Sequence, residues 1–354
     1  MLTSHDNASP YDPNRVKVDF RPYTIFQIIR KIRLEEIDLQ PEFQRRVVWD
    51  ESRQSRLIES ILLNIPLPTF YLDAISPSRW QVVDGLQRLT TLTRFCLHGE
   101  LRLHNLEFLH ALEGLNFAEL PREYQSQIEE TYLNLYIIQP DVPEGVKFTI
   151  FYRINTGGVS LTPQEIRHCL FHGQATQLLK NLAQADILKT VTGGTLSPKR
   201  MDDREAILRF LAFYLTPYTA YQQTNWDDFL GQAMLRLNQM NEAELQQMRE
   251  LFFETMRKAK LVFGAQAFRK VTNHKAKYPV NKALFEVWCV ALATYSQAEL
   301  VAHKEAIIAA FSQLLHDDAA FDKAISRSTT SVKGVQKRFG AIETLLKRVV
   351  RSEK

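Results

Sequence analysis

Apolar residues recur every three or four positions in several stretches of the chain, which is the spacing of an amphipathic helix. After Thr24, a residue type that caps helices, Ile25, Ile28, Ile29 and Ile32 form such a stripe. The same spacing predicts further helices over Ser55–Leu63, Leu86–Leu97 and Lys147–Asn155.

Three shorter segments are rich in β-branched and aromatic residues, which predicts strands. Thr69–Leu72 and Trp80–Val83 are separated by a Ser/Pro turn, so we expect them to pair with each other. Tyr132–Ile138 alternates in polarity and ends before Pro140, which indicates a third strand.

From Thr162 onward the pattern is helical. Thr162 and Glu165 have the spacing of a capping box, with Pro163 at the first helical position, and helices are expected from there to the C-terminus. We therefore predict an α+β protein in three parts. They are a flexible leader over residues 1–19, a domain with a small mixed sheet over residues 20–160, and an all-helical domain over residues 161–354 that ends in a basic helix.

The composition is that of a soluble globular protein, since 45% of the 354 residues are hydrophobic and 24% are charged. No uninterrupted apolar run reaches the length of a membrane span. The three cysteines, Cys96, Cys169 and Cys289, lie far apart, which argues against a disulfide framework or a zinc ribbon. A cytoplasmic protein is the simple expectation.

The net charge is only +4, but two segments in the last third of the chain are strongly basic, Lys258–Lys277 and Arg327–Lys354. Basic segments of this kind contact the phosphates of nucleic acids, although they are also common on solvated helix faces. Both interpretations stay open. The candidate DNA contacts are the following five residues: Lys270, Lys275, Lys333, Lys337 and Arg338.

The turn between the strand that ends at Asp84 and the following helix has two interpretations. In the simpler one, Asp84 caps the helix and Gly85 relieves the tight turn. That does not explain Gln87 and Arg88 in the first helical turn, where a cation is unfavourable for the helix dipole. A cation beside unpaired N–H groups at a helix start is what a phosphate requires.

In this second interpretation the phosphate belongs to a nucleotide. The hydroxyls of Thr90 and Thr91 would add donors, and a Mg²⁺ ion would balance the charge of Asp84. Two other stretches carry similar residues. Gln44 and Arg45 lie in an irregular segment with an arginine pair, and Asn155 precedes a Gly-Gly pair that is suited to a helix end or an anion loop.

Taken in order, the motifs P-x-F-Q-R, I-E-S-I-L-x-N-x-P-x-P, V-D-G-x-Q-R-L-T-T-L and F-x-R-I-N-T-G-G-x-x-L-T-x-Q-E-I-R resemble one family. It is the N-terminal-domain family of the GmrSD-type modification-dependent restriction endonucleases. The resemblance covers about residues 20–175. It implies a fold like that of ParB and sulfiredoxin, in which a Gly/Arg turn cradles nucleotide phosphates.

The resemblance also implies roles for individual residues. In the family, the D-G-Q-Q-R motif is tied to hydrolysis of a nucleoside triphosphate. Asp84 would hold Mg²⁺ or activate water, Gln87 would orient the water, and Arg88 would stabilise the phosphates, with Gly85 allowing close approach. Gln44, Arg45, Arg153 and Asn155 match the flanking motifs and would bind the nucleotide. Where the family motif usually has a pair of glutamines, this chain has Leu86 followed by Gln87.

Many members of the family carry an HNH nuclease domain, and its signature is absent from this sequence. His168 and His172 have the i, i+4 spacing of two metal ligands on a helix, but nothing nearby completes a site. Asp141, Glu144 and Lys147 lack the spacing of a nuclease motif. We therefore expect no nuclease activity in this chain and a separately encoded nuclease or defence partner.

These observations predict a nucleotide-binding, NTP-hydrolysing regulatory component of a bacterial restriction or anti-phage defence system. Two alternatives remain open. The chain would be a nucleotide-gated DNA-binding module without turnover, or a sensor of modified DNA whose pocket holds a flipped base.

Overall fold

The computed structural model describes residues 17–39, 49–154, 161–222, 225–270 and 279–351. The chain divides into two compact units, Met1–Ser160 and Leu161–Lys354. Most of the expected leader lies outside the described residues, and the first strand begins at Val18.

The first unit is built on a five-stranded mixed sheet in the order β1-β5-β3-β4-β2. The strands are β1 (Val18–Thr24), β2 (Ile37–Asp38), β3 (Phe70–Ser76), β4 (Arg79–Asp84) and β5 (Tyr132–Ile138). β1 pairs antiparallel with β5, and β3 with β4, while β5 and β3 are parallel, as are β2 and β4. The three strands expected from the sequence are confirmed. β1 and β2 were not expected.

In the described residues of this unit, the α-helices beside the sheet are α1 (Ile25–Arg33), α2 (Glu51–Leu62), α3 (Leu86–Leu92), α4 (Arg122–Glu130) and α5 (Glu144–Ile154). Thr24 caps α1 as expected, and Gln27 returns a hydrogen bond to the backbone of Thr24. α3 continues directly into a π-helix over Thr93–Leu97. The expected helix over Leu86–Leu97 therefore exists, but its second half has a wider turn.

One face of the sheet carries the hydrophobic core of this unit. Phe70, Leu72 and Ala74 of β3 point into it, together with Val82 of β4 and Leu135 of β5. Because side chains alternate along a strand, the intervening residues face the opposite side, which we call the second face.

The loop that follows the π-helix is attached to α2 by a buried carboxylate. Glu59 accepts the backbone N–H groups of Glu107, Phe108 and Leu109 at 2.9, 2.7 and 2.9 Å. Desolvation alone would raise the pKa of Glu59, but these three donors outweigh it, and the pKa is lowered. The ionised form of Glu59 therefore stabilises the fold.

The second unit is helical over its described residues, which confirms the predicted α+β class. Its α-helices are α6 (Pro163–Leu170), α7 (Gln174–Gln184), α8 (Asp186–Thr192), α9 (Asp202–Leu215), α10 (Trp226–Gln239), α11 (Glu242–Phe263), α12 (Lys282–Ala293), α13 (Gln297–Ala302), α14 (Lys304–Asp317), α15 (Ala319–Ser326) and α16 (Val332–Arg351). α6 begins with the expected capping box of Thr162 and Glu165.

Candidate functional site

The turn between β4 and α3 depends on a glycine. Gly85 has φ +99°, in the left-handed region, and a Cβ at this position would lie 2.3 Å from Cδ1 of Phe70. Gly85 is also the N-cap of α3, and no side chain caps the helix. The interpretation of Asp84 as the helix cap is therefore wrong. Its carboxylate instead accepts a hydrogen bond from Arg88 Nη2 at 3.0 Å, one turn into the helix.

Arg88 connects the segment just before β3 to the end of β4. Its Nη1 donates to the carbonyl of Pro68, and its Nη2 donates to the carbonyl of Thr69 at 3.2 Å. Its guanidinium carbon lies 4.2 Å from the centre of the Phe70 ring. Arg88 is only 8% exposed, and this burial lowers its pKa, although Asp84 opposes the shift. Arg88 therefore holds the start of β3 against the end of β4.

The other residues expected at the turn differ in accessibility. The Asp84 side chain is 40% exposed. Gln87 is half-buried, and its Oε1 accepts the backbone N–H of Trp49 at 3.4 Å. Thr90 is half-buried as well. Thr91 is buried, and its hydroxyl donates to the carbonyl of Gln87 at 2.7 Å. In this structure the Thr91 hydroxyl thus faces the helix backbone and not a ligand.

The remaining residues implied by the family motifs lie outside the turn. Arg153 lies exposed in the last turn of α5. Gln44, Arg45 and Asn155 lie outside the described residues. Leu86 belongs to the hydrophobic core, so the residue that departs from the family motif faces away from the open side of the turn.

A buried polar cluster on the second face was missed by the sequence analysis. Lys147 of α5 is 3.0 Å from an oxygen of Asp73 and 3.7 Å from an oxygen of Glu144. Desolvation raises the pKa of both carboxyls, and Lys147 opposes the shift in each case. Gln81, opposite Asp73 in the sheet, is 3% exposed, and its Nε2 has no hydrogen-bond partner among the described residues.

The sequence contained one signal for this cluster. Asp73 and Gln81 are polar residues inside otherwise apolar strands. Lys147 pairs with Asp73 and with Glu144. The neighbouring Asp141 pairs with Lys17 at 2.6 Å.

No group of three or more His, Cys, Asp or Glu side chains in the described part of the chain is arranged to hold a metal ion. His168 is 1% exposed and lies 3.3 Å from a guanidinium nitrogen of Arg204. The rings of His168 and His172 are nearly perpendicular, with centres 6.4 Å apart.

The basic residues of the second unit are less available for DNA than expected. Arg338 is fully buried and pairs with Glu286 of α12, so it is not accessible for the DNA contact that we expected. Nothing near Arg338 in the sequence indicates this acid, because it lies on another helix.

Among the other candidates, Lys337 pairs with Asp318 at 2.6 Å and Lys270 pairs with Asp322 at 2.5 Å. Lys333 is exposed. Lys275 lies outside the described residues.

Residues 25–172 match the family model of the GmrSD restriction endonuclease, N-terminal domain. The resemblance is confirmed. We call residues 25–172 the GmrSD-like region. It runs from α1 to just beyond α6 and covers less than half of the chain.

No curated protein and no solved structure gives a significant match. Within the described residues, no helix has both the length and the hydropathy that crossing a membrane requires.

Proposed function

We propose that this protein is a nucleotide-binding regulatory component of a bacterial DNA restriction system, with the nucleotide held at the Asp84–Arg88 turn. The observation that carries the proposal is the match of the GmrSD-like region, because the turn lies within it. The uncapped start of α3 beside a half-exposed carboxylate supports the placement of the ligand.

The turn offers two kinds of group to a nucleoside triphosphate. The backbone N–H groups at the start of α3 are left without a side-chain cap and suit phosphate oxygens. Asp84 would hold Mg²⁺, which would neutralise phosphate charge and is usually bound by one or two carboxylates together with the phosphates. Gly85 permits the left-handed backbone of the turn, where a side chain would meet the Phe70 ring.

Hydrolysis would require more than binding. Gln87 would orient the attacking water, and its contact with the Trp49 backbone would be among those it has to release. Arg88 already donates to two carbonyls and to Asp84, so it would have to exchange a protein contact for a phosphate. These contacts favour a second candidate function, a nucleotide-gated DNA-binding module without turnover.

In either role the chain would act with other molecules. Lys333 is the best placed of the candidate DNA contacts, because it is exposed and α16 also carries the exposed Arg348. Cleavage of DNA would be performed by a separately encoded nuclease partner.

The test is phosphate release from ATP, GTP and CTP with Mg²⁺, with and without DNA, by wild type and Asp84→Asn. Asparagine keeps an acceptor for Arg88 and removes the charge. Asp19→Asn is the matched control, because Asp19 is also a strand carboxylate paired with an arginine, and its side chain is 43% exposed.

Turnover that is lost in Asp84→Asn and kept in Asp19→Asn is the expected result for an NTPase. Nucleotide binding without turnover in the wild type would establish the gated binder instead. If the wild type neither binds nor hydrolyses a nucleotide, the proposal is wrong.

A further inference from the structure

A row of aromatic side chains crosses the second face of the sheet and ends at the candidate site. The strand register places Phe20 of β1 opposite Tyr136 of β5, and Tyr136 beside Tyr71 of β3. Tyr71 in turn lies opposite Asp84 at the end of β4. The row therefore leads across four strands to the turn.

The rings of this row contact one another but remain open to solvent. Tyr71 and Tyr136 stack with ring centres 5.2 Å apart and planes 18° apart, and Phe20 lies 5.4 Å from Tyr136. Phe20 is 54% exposed, and the two tyrosines are half-buried. The next pair of residues on this face, Asp73 and Ile138, is buried and not accessible to solvent.

Cross-strand aromatic pairs stabilise a sheet on their own account. That role explains the contact between the two tyrosines. It does not explain a third ring at the sheet edge that leaves more than half of its surface in water, because an exposed ring forgoes most of the benefit of burial. The Phe20 ring is also tilted by 54° from the Tyr136 ring, so it does not complete the stack of the two tyrosines. Solvent-accessible aromatic rings on a sheet are a common stacking site for nucleobases.

The spacing also suits one ligand. Neighbouring strands are about 4.8 Å apart, so the Tyr71 ring is one strand from Asp84 and the Tyr136 ring is two, roughly 10 Å. A nucleotide with its phosphates at the start of α3 would extend from the turn along this row, with its base over the tyrosine rings.

We propose that the aromatic row of Phe20, Tyr136 and Tyr71 is the base-stacking surface for the nucleotide whose phosphates bind at the Asp84–Arg88 turn. This inference rests on the proposed function. Stacking uses the face of a base and not its hydrogen-bonding edge, so it tolerates all four bases. ATP, GTP and CTP should then bind with affinities within about tenfold of one another.

The experiment compares the binding of ATP and inorganic tripolyphosphate, both with Mg²⁺, to the full-length protein by calorimetry. Tyr136→Leu removes the central ring, and Tyr136→Phe retains it. Tyr132→Leu is the matched control, because Tyr132 is on the same strand and the same face, four residues away, and is 68% exposed. Circular dichroism checks that each variant is folded.

We expect Tyr136→Leu to weaken ATP binding about 5- to 100-fold and to leave tripolyphosphate binding unchanged. Tyr136→Phe and Tyr132→Leu should bind ATP as the wild type does. The fluorescence of a 2-aminopurine nucleoside triphosphate should be quenched by the wild type and by Tyr136→Phe, but not by Tyr136→Leu.

Two results would overturn the inference, and they differ in what they say about the site. If tripolyphosphate binds as tightly as ATP, or if Tyr136→Leu binds ATP normally, the phosphate site stands and the stacking surface does not. If neither ligand binds the wild type, both the stacking surface and the proposed function are wrong.

Discussion

Arg88 is expected to stabilise the sheet even when no nucleotide is present, and Arg88→Ala tests this. The substitution removes the donors to the carbonyls of Pro68 and Thr69 and the cation above the Phe70 ring. It also leaves Asp84 without its ion-pair partner. The expected result is a local loosening where β3 begins and β4 ends.

The magnitude follows from the contacts. Hydrogen bonds from a charged donor contribute about 1.5–3 kcal/mol each. The lower value applies here, because Pro68 is exposed and Thr69 is half-buried, so water can replace the donor. The contact with the ring adds about 1 kcal/mol. The pair with Asp84 adds little, since that side chain is 40% exposed. Together these contacts give a loss of about 3–4 kcal/mol.

Hydrogen exchange measured by mass spectrometry is the suitable assay, because it reports the opening of each unit separately. Peptides that cover β3 and β4 should exchange roughly 100-fold or more faster in Arg88→Ala, while peptides from the helical unit stay unchanged. Arg79→Ala is the matched control, since Arg79 is on β4 with a side chain that is 60% exposed. Unchanged exchange in Arg88→Ala would refute the reasoning and leave Arg88 available for phosphate.

Three further predictions concern other positions. Gly85→Ala should lower the free energy of unfolding by about 2 kcal/mol or more in urea titrations. Gly99→Ala is the control, because Gly99 also has a positive φ but has no atom within 4 Å of a new Cβ, and it should lower the free energy of unfolding by about 1 kcal/mol. Equal losses would contradict the clash of the new Cβ with Phe70. Glu59 has a lowered pKa, so its contribution is present above its ordinary value of 4.5 and is lost as the pH falls through the lower folded value. Glu59→Gln should therefore flatten the loss of thermal stability below about pH 4.5, and an unchanged pH profile would argue against this carboxylate. Arg338→Met should destabilise the helical unit by about 3–5 kcal/mol, because it leaves the buried Glu286 with the more distant Arg209, 3.8 Å away, in place of its hydrogen-bonded partner. Adding Glu286→Leu should recover most of that loss in thermal denaturation, and no recovery would contradict the pairing.

Local signals in the sequence were sufficient for much of this structure. Thr24 and Thr162 mark the starts of helices because their capping bonds involve residues only three positions away. The strand over Tyr132–Ile138 was found with its observed ends, since alternation and a following proline are both local. The ordered motifs likewise identified the GmrSD-like region, which the family model confirms.

The features that the sequence did not reveal depend on contacts between distant segments. Lys147 of α5 pairs with Asp73 of β3, and Arg338 of α16 pairs with Glu286 of α12. β1 has the sequence VDFRPYT, with charges and a proline that are tolerated because it is an edge strand. At the turn, aspartate is a residue type that commonly caps helices, but the pairing of Asp84 with Arg88 decides where its carboxylate points.

The strand order has a consequence for synthesis on the ribosome. β5 lies between β1 and β3 in the sheet, although it is the last strand to be made. The β3–β4 hairpin can form as soon as it emerges, whereas β1 has no neighbour until β5 arrives. Asp19 and Gln139, which are joined by a hydrogen bond, are 120 residues apart. At about 5–20 residues per second, β1 waits roughly 6–24 s for β5, its partner among the described strands. During that interval the backbone N–H and C=O groups of β1 have no partner strand, so we expect chaperones to bind this segment.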